Sequence, residues 1–265
     1  MGLEQVKVEL CSSWGGDRDA AVAAWASSTS KEKLASKTNE DVIRLVTGLV
    51  NLHHDTPKER IWLEYFITCP IFVERQFDKY RMTIQAQDLQ VEFLHAPFGR
   101  DGISQNELSG RYQTIPDRPY GLPADVAEIM VKASDYPFLI PAQVQAQWEL
   151  KLEAQHESYQ QSLTFLREAE KAGRITNSEY KRVREVLRGE LGTAFLTDMR
   201  IVMNMNAFEH IINQRLAGAA QLESRKVAHD MIQTLAAGLV CPHMLEEMIR
   251  VNGWQKLLDE VRAHV

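Results

Sequence analysis

Residues 104–112 read SQNELSGRY and form the densest polar cluster in the sequence. Hydroxyl, amide, carboxylate and guanidinium groups all occur within these nine residues. On residue types alone the simpler interpretation is a solvated loop, because short polar clusters usually lie on a protein surface. The alternative is a ligand site, since the guanidinium fork of Arg111 can bind phosphate oxygens in pairs. Both interpretations stay open until the rest of the chain is considered.

Two stretches far from this cluster along the chain, one before it and one after it, predict strands. Val6, Val8 and Leu10 alternate with polar residues, as in a half-buried strand, and the Gly-Gly-Asp at residues 15–17 ends it. The run from Thr193 to Met203 alternates loosely and predicts a second strand.

Helical spacing dominates the remaining chain. A buried helix is predicted from Pro57 to Arg81, with a kink at Pro70. The longest helical pattern covers residues 141–172 and is closed by Gly173. Further helices are predicted at residues 18–27, 39–53 with Asn39 as N-cap, 124–133, Asn177 (N-cap) to Val186, 205–216, 222–238 and 243–250.

These patterns predict an α/β fold in a single domain over residues 1–265, with a central mixed or antiparallel sheet and a long helical portion. No internal repeat or low-complexity linker divides the chain. Residues 82–103 form an inserted excursion, in which LQVEFLH favours a strand and PFGRDG favours a turn. This excursion is either a solvated hairpin or extra oligomer contact, or a lid over the ligand site.

Charge and cysteine content narrow the class of protein. A net charge of -6 argues against a binder of nucleic-acid polymers, which needs a basic surface, but a few local arginines can still bind one small anion. The three cysteines are too few for a disulfide framework, and no apolar run is long enough to span a membrane. We therefore expect a cytoplasmic protein with no membrane partner and no metal site.

The polar cluster matches the SxNExSxRY signature of the flavin-dependent thymidylate synthases at each specified position, so the chain resembles that family. Three further stretches are similar to the family: HDTP at residues 54–57, CPIFVERQFDKYR at residues 69–81, and the segment from Arg188 to Glu223. The resemblance covers the chain from about Val6 to Glu223.

The resemblance implies an enzyme that makes dTMP from dUMP with FAD, NADPH and 5,10-methylenetetrahydrofolate. In that family the flavin mediates the carbon transfer and then supplies hydride, so no enzyme cysteine is needed as the attacking group. It also implies a homotetramer of α/β subunits, with flavin and nucleotide sites where subunits meet.

The resemblance implies a role for individual residues by position. Ser109 would bind and polarise the substrate, Glu107 would be an orienting acceptor, and Arg215 would contact the pyrimidine and stabilise its negative charge. The substrate-binding set is Gln76, Ser109, Gly110, Arg111, Arg188 and Arg215. The cofactor-binding set is His54, Thr56, Lys79, Tyr80, Arg81, Asn106, Glu107, Asn204 and His210.

The chain departs from the family pattern mainly on the flavin side. Residues 79–81 are Lys-Tyr-Arg where the family has RHR, and an insertion separates them from the signature. Asn206, His210 and Ala219 also differ from the usual residues. Two alternatives therefore remain: a hydroxymethylase of dUMP or dCMP, in which water intercepts the methylene before hydride arrives, and a non-catalytic nucleotide-binding protein that has lost the flavin.

Overall fold

The computed structural model of the chain describes residues 2–26, 28–78, 103–107 and 117–264, with the backbone alone for residues 103–107. The protein has the predicted α/β fold, in which a central sheet is combined with a long helical portion. The chain divides into two compact units. The first consists of Met1–Val6, Thr68–Glu74 and Glu107–Asp198, and the second of Lys7–Ile67, Arg75–Asn106 and Met199–Val265. That residues 1–265 form one domain stays a prediction.

The sheet has four strands in the order β1-β2-β4-β3. The strands are β1 (Lys7–Trp14), β2 (Trp62–Pro70), β3 (Ile103–Glu107) and β4 (Leu196–Asn204). The strands predicted at the beginning of the chain and at residues 193–203 are confirmed as β1 and β4.

Strand β2 corrects the helix predicted from Pro57 to Arg81. The stretch contains a 3-10 helix (Thr56–Arg60), then β2, then helix α4 (Ile71–Asp78). Every second side chain of β2 is fully buried, namely Leu63, Tyr65, Ile67 and Cys69. This period of two is that of a pleated strand, and the aromatic and β-branched residues suit it. Pro70 ends the strand and does not kink a helix.

The described residues of the second unit contain seven further helices. They are α1 (Asp17–Trp25), α2 (Lys31–Ala35), α3 (Asn39–Asn51), α8 (Met205–Arg215), α9 (Leu222–Gly238), α10 (Pro242–Val251) and α11 (Trp254–Arg262). Helices α2 and α11 were not predicted. The N-cap predicted at Asn39 is wrong, because Thr38 caps α3 in a reciprocal pair with Asp41.

The first unit contains the long helix α6 (Pro141–Lys171), together with α5 (Ala124–Lys132) and α7 (Asn177–Leu187). One face of α6 builds a core from Leu152, Tyr159 and Leu163, which cluster with Phe195. Gly173 closes α6 as predicted, with a φ of 69° in the left-handed region that favours glycine. Thr176, and not Asn177, caps α7 through Glu179.

Two further sequence-based expectations concern the inserted excursion and membrane-spanning helices. Of the excursion at residues 82–103, only Ile103 is described, in β3. Among the described helices, none combines the length and apolar character needed to cross a bilayer.

Candidate active site

The structure brings together two of the predicted substrate-binding residues, Gln76 on α4 and Arg215 in the last turn of α8. Arg215 donates from Nη1 to Gln76 Oε1 at 3.3 Å and from Nη2 to the Gln76 carbonyl oxygen at 2.9 Å. Both residues are half-buried. Because one guanidinium holds both the backbone and the side chain of Gln76, the two side chains form one hydrogen-bonded element.

Two residues that the sequence did not point to complete this element. Ser224 on α9 is fully buried and donates from Oγ to Gln76 Oε1 at 2.9 Å. Gln76 Nε2 in turn donates to Oε1 of Gln221, the residue before α9, at 2.6 Å. We call Gln76, Arg215, Gln221 and Ser224 the Gln76 cluster.

A signal for Ser224 does exist in the sequence of α9. Val227, Ala228 and Met231 lie three, four and seven positions after Ser224 and are fully buried, so Ser224 occupies the core-facing stripe of the helix. A hydroxyl in an apolar stripe must have a hydrogen-bond partner, because its burial is otherwise unfavourable. That partner is Gln76.

Two segments of the second unit that pack together carry four of the predicted cofactor residues: His54, Thr56, Asn204 and His210. The 3-10 helix Thr56–Arg60 contacts α8, and the amide of Met205 at the start of α8 donates to the carbonyl of Ile61 at 2.9 Å. His54 and Thr56 lie at the first segment and are exposed. His210 is exposed on α8.

Asn204 has a structural role at the beginning of α8. It is largely buried, and its Oδ1 accepts from the amide of Ala207 at 2.9 Å, so Asn204 is the N-cap of the helix. Its Nδ2 has no protein acceptor among the described residues. The same side chain can therefore cap the helix with its oxygen and donate to a ligand with its nitrogen.

A buried lysine fastens these two segments to each other. Lys58 is fully buried, and its Nζ donates to Asp55 Oδ1 at 2.9 Å and to Glu209 Oε2 on α8. Asn252 Nδ2 donates to the other oxygen of Glu209 at 2.8 Å. Sequence reasoning missed this pair, because a lysine is ordinarily exposed and nothing in the pattern marks Lys58 as buried.

The donors on these segments fit a flavin dinucleotide. The Thr56 hydroxyl, the His54 imidazole and Asn204 Nδ2 can all donate, and the beginning of α8 presents the positive end of a helix dipole. Flavin carbonyls and a diphosphate are acceptors, so the donor set has the matching polarity.

Two of the three cysteine thiols, Cys11 and Cys241, have raised pKa values and therefore lack the character of nucleophiles. Burial raises the pKa of the Cys241 thiol well above its ordinary value, with the nearby charge of Asp17 acting in the same direction. Burial and the neighbouring carboxylate of Glu9 also raise the pKa of Cys11. A reactive cysteine needs a lowered pKa, so these two thiols fit a mechanism without a cysteine nucleophile.

The other predicted site residues fall outside this geometry. Arg188 is exposed in the 3-10 helix Arg188–Glu190, which belongs to the first unit. Asn106 and Glu107 end strand β3, where the backbone alone is described. Lys79, Tyr80, Arg81, Ser109, Gly110 and Arg111 lie outside the described residues.

A family model described as "Thymidylate synthase complementing protein" matches residues 9–242. The chain belongs to this family. The match includes the Gln76 cluster, the 3-10 helix that carries Thr56 and the whole sheet apart from the first residues of β1. The resemblance based on SQNELSGRY is thereby confirmed at the level of the family.

Named relatives agree with this family assignment, and two solved structures share the fold. A flavin-dependent thymidylate synthase of Streptomyces avermitilis is 26% identical over 212 residues, which is 79% of this chain and 75% of the relative. A protein of the same name from Streptomyces coelicolor is 25% identical over 212 residues, again 79% of this chain and 75% of the relative.

The crystal structure of the UMP/dUMP methylase PolB from Streptomyces cacaoi bound with 5-Br dUMP has a TM-score of 0.66 at 19% identity. The likeness covers 92% of this chain and 95% of the PolB chain. The same methylase bound with 5-Br UMP has a TM-score of 0.61 at 18% identity, over 93% and 95% of the two chains. These two likenesses show the shared fold.

Proposed function

We propose that this family member transfers a one-carbon unit from 5,10-methylenetetrahydrofolate to C5 of a pyrimidine deoxynucleotide and converts dUMP to dTMP. The observation that carries the proposal is the bond of Arg215 to both the side chain and the backbone of Gln76. Two residues that the family resemblance assigns to the nucleotide thus form one rigid, positively charged element.

The relatives support the same chemistry. Two of them are named flavin-dependent thymidylate synthases, and a protein of the same fold is named a UMP/dUMP methylase and was crystallised with a 5-bromo dUMP. All of these names describe modification of a uracil nucleotide, which favours dUMP as the substrate of this chain.

Arg215 would act on the pyrimidine ring. C5 attacks a carbon electrophile with the electrons of the C5=C6 bond. A fixed guanidinium beside the ring oxygens stabilises the polarised form of the ring, in which N1 releases electrons towards C5 and the C4 oxygen, and so makes C5 more nucleophilic. Because Gln76 and α8 hold Arg215 in place, little reorganisation is needed during the reaction. Glu107 would be the acceptor that orients the nucleotide.

The phosphate of the nucleotide would be bound by residues of the signature. In this proposal Arg111 supplies a guanidinium fork, while Ser109 and the amide of Gly110 donate from the same turn. Arg188 adds a second cation. Ser109 also polarises the substrate, and no cysteine takes part.

FAD would be held by His54, Thr56, Asn204 and His210, together with Lys79, Tyr80, Arg81, Asn106 and Glu107. When bound, FAD supplies the redox chemistry of the carbon transfer, with NADPH as the reductant. The enzyme would work in the cytoplasm as a homotetramer whose sites lie where subunits meet, with no nucleic-acid polymer or membrane as partner.

A visible absorption spectrum followed by product analysis tests the proposal. Purified protein is mixed with dUMP or dCMP, methylenetetrahydrofolate and NADPH, and the nucleotide mass is measured. We expect a yellow protein that adds one methyl group to dUMP, and an R215M variant that is yellow but at least about 100-fold slower. R262M is the matched control, since Arg262 is exposed at the end of α11.

Other outcomes of this experiment identify the alternatives. A hydroxymethyl mass on either nucleotide would show the hydroxymethylase. A colourless protein that takes up no FAD, yet still binds nucleotide, would show a binding protein without catalysis. Equal rates for R215M and wild type would contradict the role assigned to Arg215.

A further inference from the structure

The orientation of the Gln76 side-chain amide is fixed, because its neighbours determine which end is the oxygen and which is the nitrogen. A guanidinium can only donate, so the Gln76 atom that meets Arg215 Nη1 at 3.3 Å must be the carbonyl oxygen. Ser224 Oγ donates to the same oxygen at 2.9 Å. Both lone pairs of Oε1 are therefore occupied within the protein, and this oxygen cannot accept from a ligand.

The nitrogen side of the amide is consequently the side available to a ligand. Gln76 Nε2 uses one hydrogen for Gln221 Oε1 at 2.6 Å, and its second hydrogen has no acceptor among the described residues. Because Gln221 accepts through Oε1, its own Nε2 is also left as a donor. The two amides present only N–H groups to a ligand.

We propose that Ser224 is a positioning residue that determines base specificity, by holding the Gln76 amide so that its N–H meets the substituent at C4 of the pyrimidine. This inference rests on the proposed function. Uracil carries a carbonyl acceptor at C4, whereas cytosine carries an amino group, which is a donor. A donor facing a donor leaves both groups unsatisfied, so the cluster selects dUMP against dCMP.

The C4 position follows from the chemistry assigned to Arg215. C4 adjoins C5, the atom that reacts, and the oxygen on C4 carries negative charge in the polarised form of the ring that makes C5 nucleophilic. Arg215 stabilises that charge only from nearby, and Gln76 is bonded to Arg215 through two atoms. A side chain so close to Arg215 meets the same edge of the ring.

Packing alone does not account for the Ser224 hydroxyl. Ser224 is fully buried among Val227, Ala228 and Met231 on the core stripe of α9, where an alanine would fill the same place without a polar group. The hydroxyl is tolerated because it is bonded to Gln76 Oε1. Arg215 sets which end of the amide is the oxygen, and Ser224 occupies the second lone pair of that oxygen, so that Oε1 cannot accept from the ligand.

The test is the ratio of the dissociation constants of dCMP and dUMP, measured by isothermal titration calorimetry on the purified full chain. Both nucleotides carry the same phosphate and sugar, so general damage to the site leaves the ratio unchanged. Wild type is expected to prefer dUMP by at least about tenfold. S224A and Q221L should each reduce the preference by about fivefold, the effect of one hydrogen bond.

A matched variant on the same helix completes the design. Thr234→Ala removes a hydroxyl of α9 that is bonded to the carbonyl of Asp230, away from the Gln76 cluster, so T234A should retain the wild-type ratio.

The other outcomes contradict either this inference alone or the proposed function as well. An unchanged ratio in S224A, or a wild type that does not prefer dUMP, would overturn the role of Ser224, although the protein would still bind a pyrimidine nucleotide. A wild type that binds neither nucleotide would overturn the proposed function and this inference with it.

Discussion

The ammonium group of Lys58, which is fully buried, is bonded to the carboxylate of Glu209 on α8. Lys58 belongs to the 3-10 helix that begins at Thr56, and Glu209 is next to His210. The pair therefore fixes the spacing between two segments that carry predicted cofactor residues. Separating the two groups is costly, because each buried charge is strongly unfavourable without the other.

Replacement of Lys58 by methionine should destabilise the protein strongly. K58M leaves the Glu209 carboxylate buried, with Asn252 as its remaining donor in the part of the chain that the structure describes, and we expect the free energy of unfolding to fall by about 3–5 kcal/mol. Urea unfolding followed by circular dichroism measures this change. The control is K33M, since Lys33 is exposed on α2, with an expected change within about 0.5 kcal/mol.

The double variant K58M/E209L separates the charge from the packing. With both charges removed, no buried ion is left unpaired, so a large part of the loss should be recovered. A double variant as unstable as K58M would show that the lost volume, and not the unpaired charge, causes the effect.

Asp230 should make part of the stability of α9 depend on pH. Burial would raise the pKa of its carboxyl, but hydrogen bonds from His229 at 2.9 Å and from Lys226 outweigh burial, and the pKa lies below its ordinary value of 3.8. A lowered folded-state pKa stabilises the protein above the unfolded pKa, and this contribution disappears as the pH falls through the folded value.

The variant D230N measures that contribution. The unfolding free energy lost in D230N should be about 1 kcal/mol near pH 5, because partial exposure screens the pair, and should shrink as the pH is lowered to about 3. A loss that grows towards acid pH would contradict the assigned direction of the pKa shift.

Helix α6 offers a pair of leucines that differ in burial. Leu163 is 0% exposed and packs in the cluster with Tyr159 and Phe195, whereas Leu150 on the same helix is 63% exposed. L163A should reduce the free energy of unfolding by about 2–5 kcal/mol, since it removes transfer free energy and opens a cavity. L150A should change it by less than about 0.5 kcal/mol. Equal effects in thermal or urea unfolding would show that α6 does not bury the face assigned to it.

Replacement of Arg215 by lysine tests its fork geometry apart from its charge. R215K keeps one positive charge but cannot bond Gln76 Oε1 and the Gln76 carbonyl together as the guanidinium does. The dissociation constant for dUMP should rise by about tenfold to 100-fold, as measured by calorimetry. R262K, on an exposed arginine, should bind as wild type does. Wild-type affinity in R215K would show that charge alone is sufficient at this position.

Local patterns were sufficient for most helices and failed at β2. The apolar periods of α6, α8 and α9 are long, and Gly173 marks the end of α6, so the sequence predicts these helices within a few residues. In the stretch from Trp62 to Pro70 short apolar runs suit a helix as well as a strand. Pairing with β1 and β4 decides for the strand, and the pairing partners are far away in sequence.

The sequence by itself determined the family, through SQNELSGRY and its neighbouring motifs, and it pointed to Gln76 and Arg215 as residues of one site. Only the tertiary structure decided what surrounds them. Ser224 reaches Gln76 across 148 positions of chain, and Glu209 reaches Lys58 across 151. A motif shows which residue types a site contains and how they are spaced along the chain. The direction in which an amide points and the burial of a lysine depend on residues that only folding brings together, because hydrogen bonds and desolvation act through space.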